Sequence, residues 1–255
     1  MLAIERQNEI MEIINIKGNV TVSTLSKQFD VTEETIRRDL GKLEQSNLLR
    51  RVHGGAYIIR GFEKEAPVRL RENIMLPEKQ RIGAGCCEFI EQYDTIMLDS
   101  STTALQIAVQ LKSENKKVTV ITNSLDAVKE FEDCEHIKVI CIGGTLRTSS
   151  HSFFGFESLN VLGEFIADKA FVSAAGLHLQ FGITDHIDSE AKIRMTMLKN
   201  ANKRFFIADS TKFGKSSVHS VWSLDHIDYV ITESAPKQEW RNKFDELGIK
   251  LVVCE

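Results

Sequence analysis

The chain's strongest constraint is a change of hydrophobic period near residue 77. Beyond it, short runs rich in β-branched and aromatic residues alternate with stretches of helical period. Strands are expected at 95–98, 118–121, 138–142, 170–173, 204–208, 229–232 and 250–253, and helices at 102–111, 125–131, 190–201 and 237–247. Strand and helix alternating at this spacing imply βαβ units. The expected architecture is therefore an α/β domain with a mainly parallel sheet, and no internal repeat is visible.

Before residue 58 the pattern is different. Ile4, Ile10 or Met11, Ile13 and Ile14 give a first helix, with Gly18 as its stop. Thr21 to Ser23 can cap a short second helix that turns Leu25 and Phe29 inward, before a break at Asp30 and Val31. Thr32 then caps a third helix. There Ile36, Leu40 and Leu43 form one buried stripe, and Glu34, Thr35, Arg37, Arg38 and Lys42 occupy the other face. The segment 48–58 reads as two short strands around Gly54-Gly55, which makes an all-α winged helix-turn-helix of three helices and a wing. Pro67 and Pro77, two of the chain's 3 prolines, fall in a charged, weakly periodic stretch that marks a linker. The expected boundaries are 1–58 for the small domain, 59–76 for the linker and 77–255 for the α/β domain. A chain of 255 residues accommodates one small and one medium domain.

Several classes drop out. No apolar run reaches the ~18 residues that span a bilayer, and the opening residues are polar and periodic, unlike a secretory leader; the expectation is a cytoplasmic protein with no membrane partner. The 5 cysteines, Cys86, Cys87, Cys134, Cys141 and Cys254, are odd in number and show no Cys-x-x-Cys, so neither a disulfide framework nor a zinc site is indicated. They read as reduced core thiols, with a redox role for the vicinal pair Cys86-Cys87 as the weaker alternative. The 7 histidines lack ligand spacing. Neither a metal nor a cofactor is expected.

A net charge of −4 argues mildly against a nucleic-acid partner, but its distribution argues the other way. Residues 35–60 hold six bases (Arg37, Arg38, Lys42, Arg50, Arg51, Arg60) against Asp39 and Glu44, a local +4, which leaves −8 for the rest. A capped helix with a buried stripe and a Thr/Arg/Arg/Lys face suits the major groove of double-stranded DNA, while a wing holds phosphates. The plainer alternative is a solvated amphipathic helix; the turn spacing and the basic wing favour DNA. The candidate DNA-binding residues are Thr32, Glu34, Thr35, Arg37, Arg38, Lys42, Arg51 and His53.

In the later domain, small polar clusters follow the expected strands: Asp99-Ser100-Ser101-Thr102-Thr103, Thr122-Asn123-Ser124, Gly143-Gly144 with Arg147, a turn ending at Gly176, and Asp209-Ser210-Thr211-Lys212. Parallel strands end on one edge, where open α/β sheets bind ligands. Any one cluster is more simply a helix cap, but five on one edge form a crevice. Ser100 to Thr103 at a helix start offer N–H groups and the dipole's positive end to a phosphate. Arg147 or Lys212 adds counter-charge, and Asp99, Asn123 and Asp209 can take sugar hydroxyls. Phe153, Phe154 and Phe156 read as core in preference to a sugar platform.

The motifs Thr35-Ile36-Arg37-Arg38-Asp39-Leu40, Leu43-Glu44 and Arg51-Val52-His53-Gly54-Gly55-Ala56 resemble the N-terminal signature of the DeoR family of bacterial transcriptional repressors. Asn47 stands where that family usually has Gly. The resemblance continues through Leu98 to Thr103, Thr122-Asn123-Ser124-Leu125, Gly143 to Arg147, Asp168-Lys169-Ala170-Phe171, Gly182-Ile183-Thr184, Glu190-Ala191-Lys192 and Asp209 to Gly214. Ser101 replaces a frequent Gly. It implies that Thr35, Arg37 and Arg38 contact operator DNA with Arg51 and His53 near the backbone. It also implies a ribose-phosphate-isomerase-like sensor domain whose sugar-phosphate effector site includes Glu190 and Lys192. The expected function is repression of a carbohydrate-utilisation operon by a homodimer or homotetramer, under control of a phosphorylated sugar or polyol. The alternative is an isomerase-like enzyme with Glu190, Asp99 or Asp209 as base; such an enzyme has no use for the basic helix-turn-helix. A nucleotide-binding module lacks its glycine motif.

Overall fold

Helix α1 (Ala3–Lys17) stops at Gly18, which takes the left-handed conformation at φ 81° and donates its N–H to the Ile14 carbonyl. Strand β1 (Asn19–Thr21) follows, then α2 (Val22–Phe29), whose start is capped by Thr21 Oγ1 accepting from the Thr24 N–H at 3.2 Å. Asp30, at φ 51°, breaks the chain before α3 (Glu33–Gln45), which Thr32 Oγ1 caps by accepting from the Thr35 N–H at 3.3 Å. Ile10, Ile14, Leu25, Ile36, Leu40 and Leu43 close the core between the three helices. Ile4 does not join them and is 67% exposed; its turn of α1 faces inward through Arg6 instead.

The wing strands β2 (Arg50–Val52) and β3 (Gly55–Tyr57) are joined by β1 into a three-stranded antiparallel sheet, β1-β3-β2. Helix α4 (Val68–Asn73) lies inside the stretch expected as linker. Val68 is buried, and just beyond α4 Ile74 packs with Val52 and Tyr57, so apolar side chains draw part of that stretch onto the small domain. The structure describes residues 2–45, 49–57 and 68–254; Asn47 and the other part of the expected linker lie outside them. Two compact units result, Met1–Leu76 and Pro77–Glu255.

The second unit runs α5 (Leu76–Cys87), β4 (Thr95–Leu98), α6 (Thr102–Lys112), β5 (Val118–Thr122), α7 (Leu125–Glu130) and β6 (Ile137–Cys141). A hairpin of β7 (Thr145–Arg147) and β8 (Ser152–Phe154) leads through α8 (Phe156–Gly163) to β9 (Ala167–Val172). Then come β10 (Gly176–His178), β11 (Gly182–Asp185), α9 (Asp188–Lys199), β12 (Ala201–Ile207), β13 (His219–Trp222), β14 (Tyr229–Thr232), α10 (Gln238–Leu247) and β15 (Lys250–Val253). Seven of these strands form one sheet, ordered β15-β14-β12-β9-β4-β5-β6. Every neighbouring pair in it is parallel.

Successive side chains of a strand point to opposite faces, and the core divides accordingly. Met97, Ile121, Val172, Phe206 and Val230 face α8, α9 and α10 through Leu162, Met197, Leu198 and Phe244. Ile96, Leu98, Val120, Phe171, Phe205 and Ile231 face α5, α6 and α7 through Ile82, Ile107 and Ala127. The sheet grows from β4 toward β6 with helices on one face, then restarts at β9 and grows toward β15 with helices on the other. A reversal of direction with a change of face keeps the crossovers of one hand. Its consequence is a switch point between β4 and β9.

Two readings of single residues need correction. Phe156 is 74% exposed at the first position of α8, where the chain has already left the sheet; Phe153 and Phe154 are half-buried. Cys141 is exposed at the end of the edge strand β6, past the cover of the helices, while Cys86, Cys87, Cys134 and Cys254 are buried.

Candidate functional site

On the small unit, the face of α3 opposite its buried stripe presents the basic residues. Thr32, Glu34, Arg37, Arg38, Lys42, Arg51 and His53 are exposed and Thr35 is half-buried. Arg37 Nη2 meets Glu33 at 2.6 Å, and its Nη1 lies 3.8 Å from Glu34. Arg51 is pinned by Glu44, which accepts from its backbone N–H at 2.9 Å and from its Nε at 2.8 Å. Those bonds, the backbone one first, hold the Glu44 carboxyl below its ordinary value. Arg38 makes no ion pair among the described residues. Behind this face, Asp39 is buried and accepts from Arg6 Nε at 2.6 Å and from Gln7 Nε2 at 2.8 Å. Asp39 thus fixes α3 on α1 and is not available to DNA.

On the large unit, the carboxyl ends of β4 and β9 meet at the switch point, where open α/β sheets bind ligands. Asp99 follows β4 and is 1% exposed. Its Oδ1 accepts from Ser101 N–H at 3.2 Å and Ser101 Oγ at 2.6 Å. Its Oδ2 accepts from Ser173 N–H at 3.2 Å, beyond β9, and from Arg194 Nε at 2.6 Å. With four donors its acceptors are occupied, so Asp99 shapes the crevice and does not take a sugar hydroxyl as the sequence suggests. Ser101 Oγ also caps α6, accepting from Ala104 N–H at 3.1 Å; Ser100, Thr102 and Thr103 are buried around the same helix start.

Arg194, buried on α9, ties the ends of several elements together. Besides Asp99, its Nη1 donates to Asp185 at 2.5 Å, at the end of β11, and to Glu190 at 3.1 Å, one turn earlier. Burial alone would lower its pKa, but Asp185, Asp99 and Glu190 outweigh that and raise it well above the ordinary arginine value. Arg147 from β7 comes within 3.9 Å of Glu190 and donates from Nε to Ser149 at 2.9 Å, which brings the β7–β8 hairpin to the cluster.

The other strand ends are arranged by their own loops. Asn123 donates from Nδ2 to the Phe153 carbonyl at 2.9 Å, and its Oδ1 is buried with no hydrogen-bond partner among the described residues. Thr122 Oγ1 accepts from Ser124 N–H at 3.0 Å, and Ser124 caps α7. Gly143 and Gly144 are exposed, and a Cβ at Gly144 would meet Ser158 Oγ at 2.1 Å. A Cβ at Gly176 would meet the Lys215 carbonyl oxygen at 2.4 Å, so the loop beyond Lys212 passes tightly over β10. Asp209 accepts from Thr211 N–H at 3.0 Å, and Glu233, after β14, accepts from Ser210 N–H at 3.0 Å.

Lys192 is not brought to this crevice. It is exposed and pairs with Asp188 at 2.6 Å, because two residues along a helix from Glu190 is nearly the opposite face.

A family model described as the DeoR C terminal sensor domain matches residues 75–234, and one described as the DeoR-like helix-turn-helix domain matches residues 6–61. The chain belongs to the DeoR family. It is a transcriptional regulator that joins a DNA-binding helix-turn-helix to a sensor domain. Curated relatives run the length of it. The HTH-type transcriptional regulator GolR of Listeria innocua is 33% identical over 100% of both chains. The HTH-type transcriptional regulator YulB of Bacillus subtilis is 38% identical over 92% of this chain and 90% of its own. The glycerol-3-phosphate regulon repressor of Escherichia coli is 26% identical over 98% of each. A likeness to ribose 5-phosphate isomerase A of Methanocaldococcus jannaschii spans 55% of each chain at 16% identity and TM-score 0.41, too distant for any residue to be carried across.

Within this DeoR-family sensor unit, sequence reasoning missed Ser173, Asp185, Arg194 and Glu233. The i, i+4 spacing of Glu190 and Arg194 was the one local signal for the pair. The partners Asp99 and Ser173 lie far along the chain, and only the fold brings them in.

Proposed function

We propose that the protein represses a carbohydrate-utilisation operon, binding its operator through α3 and the wing and losing or gaining affinity when a phosphorylated sugar or polyol occupies the sensor crevice. The observation that carries the sensor half is the switch point itself. Helix-opening Ser and Thr residues converge there around the buried Asp99 and Arg194, at the start of helix α6, a position suited to an anion. Arg147, Lys212, Asn123 and the loops after β6 and β9 complete the proposed effector site. On the DNA side, Thr35, Arg38 and Lys42 face the groove, with Arg51 and His53 at the backbone. The relatives' names support a regulatory and not a catalytic role, and they include a lactose phosphotransferase system repressor of Lactococcus lactis. A regulator of this kind acts in the cytoplasm.

Effector and operator are linked: if each favours a different arrangement of the protein, each weakens the other by the same factor. Two recognition helices must meet successive major grooves about 34 Å apart, so the working form is a dimer or tetramer. A gel-shift titration of the protein on its own upstream DNA, with a panel of sugar phosphates, tests the reading. A panel with no effect on the shift sinks the sensor assignment. Turnover of any member at roughly 1 per second or faster would instead establish an enzyme.

A further inference from the structure

We propose that Glu34 reads a base, and that the base is cytosine. The inference rests on α3 being the operator-reading helix. At about 100° per residue, Glu34 and Arg38 stand roughly 160° and 200° around the axis from the buried Ile36, on the crest of the face opposite the core. Glu34 is also in the first turn after the Thr32 cap, and the N-terminal residues of a recognition helix are the ones that reach base edges. Its side chain is 72% exposed.

An acid in that place needs a reason, because the phosphates of DNA repel it. First-turn acids ordinarily serve the helix dipole or an ion pair. Glu33 already does both, closing on Arg37 at 2.6 Å, whereas Glu34 stands 3.8 Å from the same guanidinium. Arg38, one turn further on, makes no ion pair with it among the described residues. Glu34 therefore presents a carboxylate with acceptors to spare. In the major groove the donors are cytosine N4 and adenine N6, and adenine sets its N7 acceptor beside the donor, where a second carboxylate oxygen is repelled. Cytosine is the base that a carboxylate fits.

The test selects duplexes from a randomised library at about 0.15 M salt, using the full-length protein and its Glu34→Gln and Glu34→Ala variants. Circular dichroism verifies that these exposed substitutions leave the helices intact. The wild type should enrich cytosine at one position of each half-site. Glu34→Gln should change that position to adenine, whose N6 and N7 suit an amide. Glu34→Ala should lose about tenfold discrimination there and keep every other position. If both variants return the wild-type motif while binding all duplexes more tightly, Glu34 only repels DNA and the proposal is overturned. Relaxation at a position where the wild type prefers another base overturns it as well. A wild type that enriches no motif at all overturns the operator-binding reading first.

Discussion

Arg194 ties together the ends of the elements around the proposed effector site. Asp99, Asp185 and Glu190 all accept from one buried guanidinium and pair with its charge. Removing one partner of a buried charged group leaves the others uncompensated, at about 3–5 kcal/mol. Arg194→Met should therefore lower stability by that amount in urea unfolding, and Arg194→Lys should recover part of it; a loss within ~0.5 kcal/mol, the range of ordinary surface changes, would show that the cluster does not hold the fold. The thiols give a second expectation. Burial pushes Cys87 up to about 12 and Cys86 well above its ordinary value. Both then remain protonated and poorly nucleophilic at pH 8. Native protein treated with a thiol reagent should be modified fast at the exposed Cys141 and slowly at the vicinal pair; rapid modification of Cys86-Cys87 would restore the redox reading. At this scale the sequence was legible where a residue's place follows from its own strand. Asp99, Asn123 and Asp209 stand just beyond predicted strands, and there they are. Arg194 was not legible, because its meaning lies in Asp99, 95 residues away.

The elements divide along the same line. The βαβ units announced themselves because their apolar strands alternate with stretches of helical period. The hairpin β7–β8 and the small sheet β10-β11-β13 did not, since their short strands stand outside that alternation. Strand β1, three residues long, gives a period of two almost no room. Helix α3, by contrast, could be read from its cap onward, and the structure adds two ties. Asp39 binds it to α1 through Arg6, and Glu44 binds it to the wing through Arg51. The second tie carries a pH dependence. The carboxyl of Glu44 is held below its ordinary value when folded. Its contribution is therefore present in full above the unfolded pKa, near 4.3, and is lost as pH falls through the lower folded value. Titration of Glu44 followed by NMR should show the midpoint below that of an unfolded peptide, and Arg51→Ala should raise it only part of the way, because the backbone N–H of residue 51 still donates while the guanidinium is lost. An unmoved midpoint in Arg51→Ala would mean that the guanidinium adds nothing to the backbone bond.

At the scale of the whole molecule, a net charge of −4 hides two charge distributions with separate tasks. Phosphate binding depends on the local surface, since screening confines exposed charges to about 8–10 Å at physiological salt; the total of −4 therefore does not decide whether α3 and the wing bind DNA. If Arg38 contacts a phosphate, it releases about one counterion, and Arg38→Ala should reduce the slope of log K against log salt by about one while weakening all duplexes alike. The same variant should leave effector affinity in the absence of DNA unchanged, because Arg38 belongs to the helix-turn-helix unit. Lys212→Ala should do the reverse, weakening the effector and sparing DNA binding by the effector-free protein. The decisive measurement combines the two ligands. The factor by which a sugar phosphate changes operator affinity must equal the factor by which operator changes sugar-phosphate affinity, so both are measured on one preparation, by fluorescence anisotropy and calorimetry at fixed salt. Equal factors different from one establish a single two-state protein that both ligands bias. Factors of one in both directions, with each ligand still bound, would mean that the crevice and the helix are uncoupled and that the sensor does not control the operator.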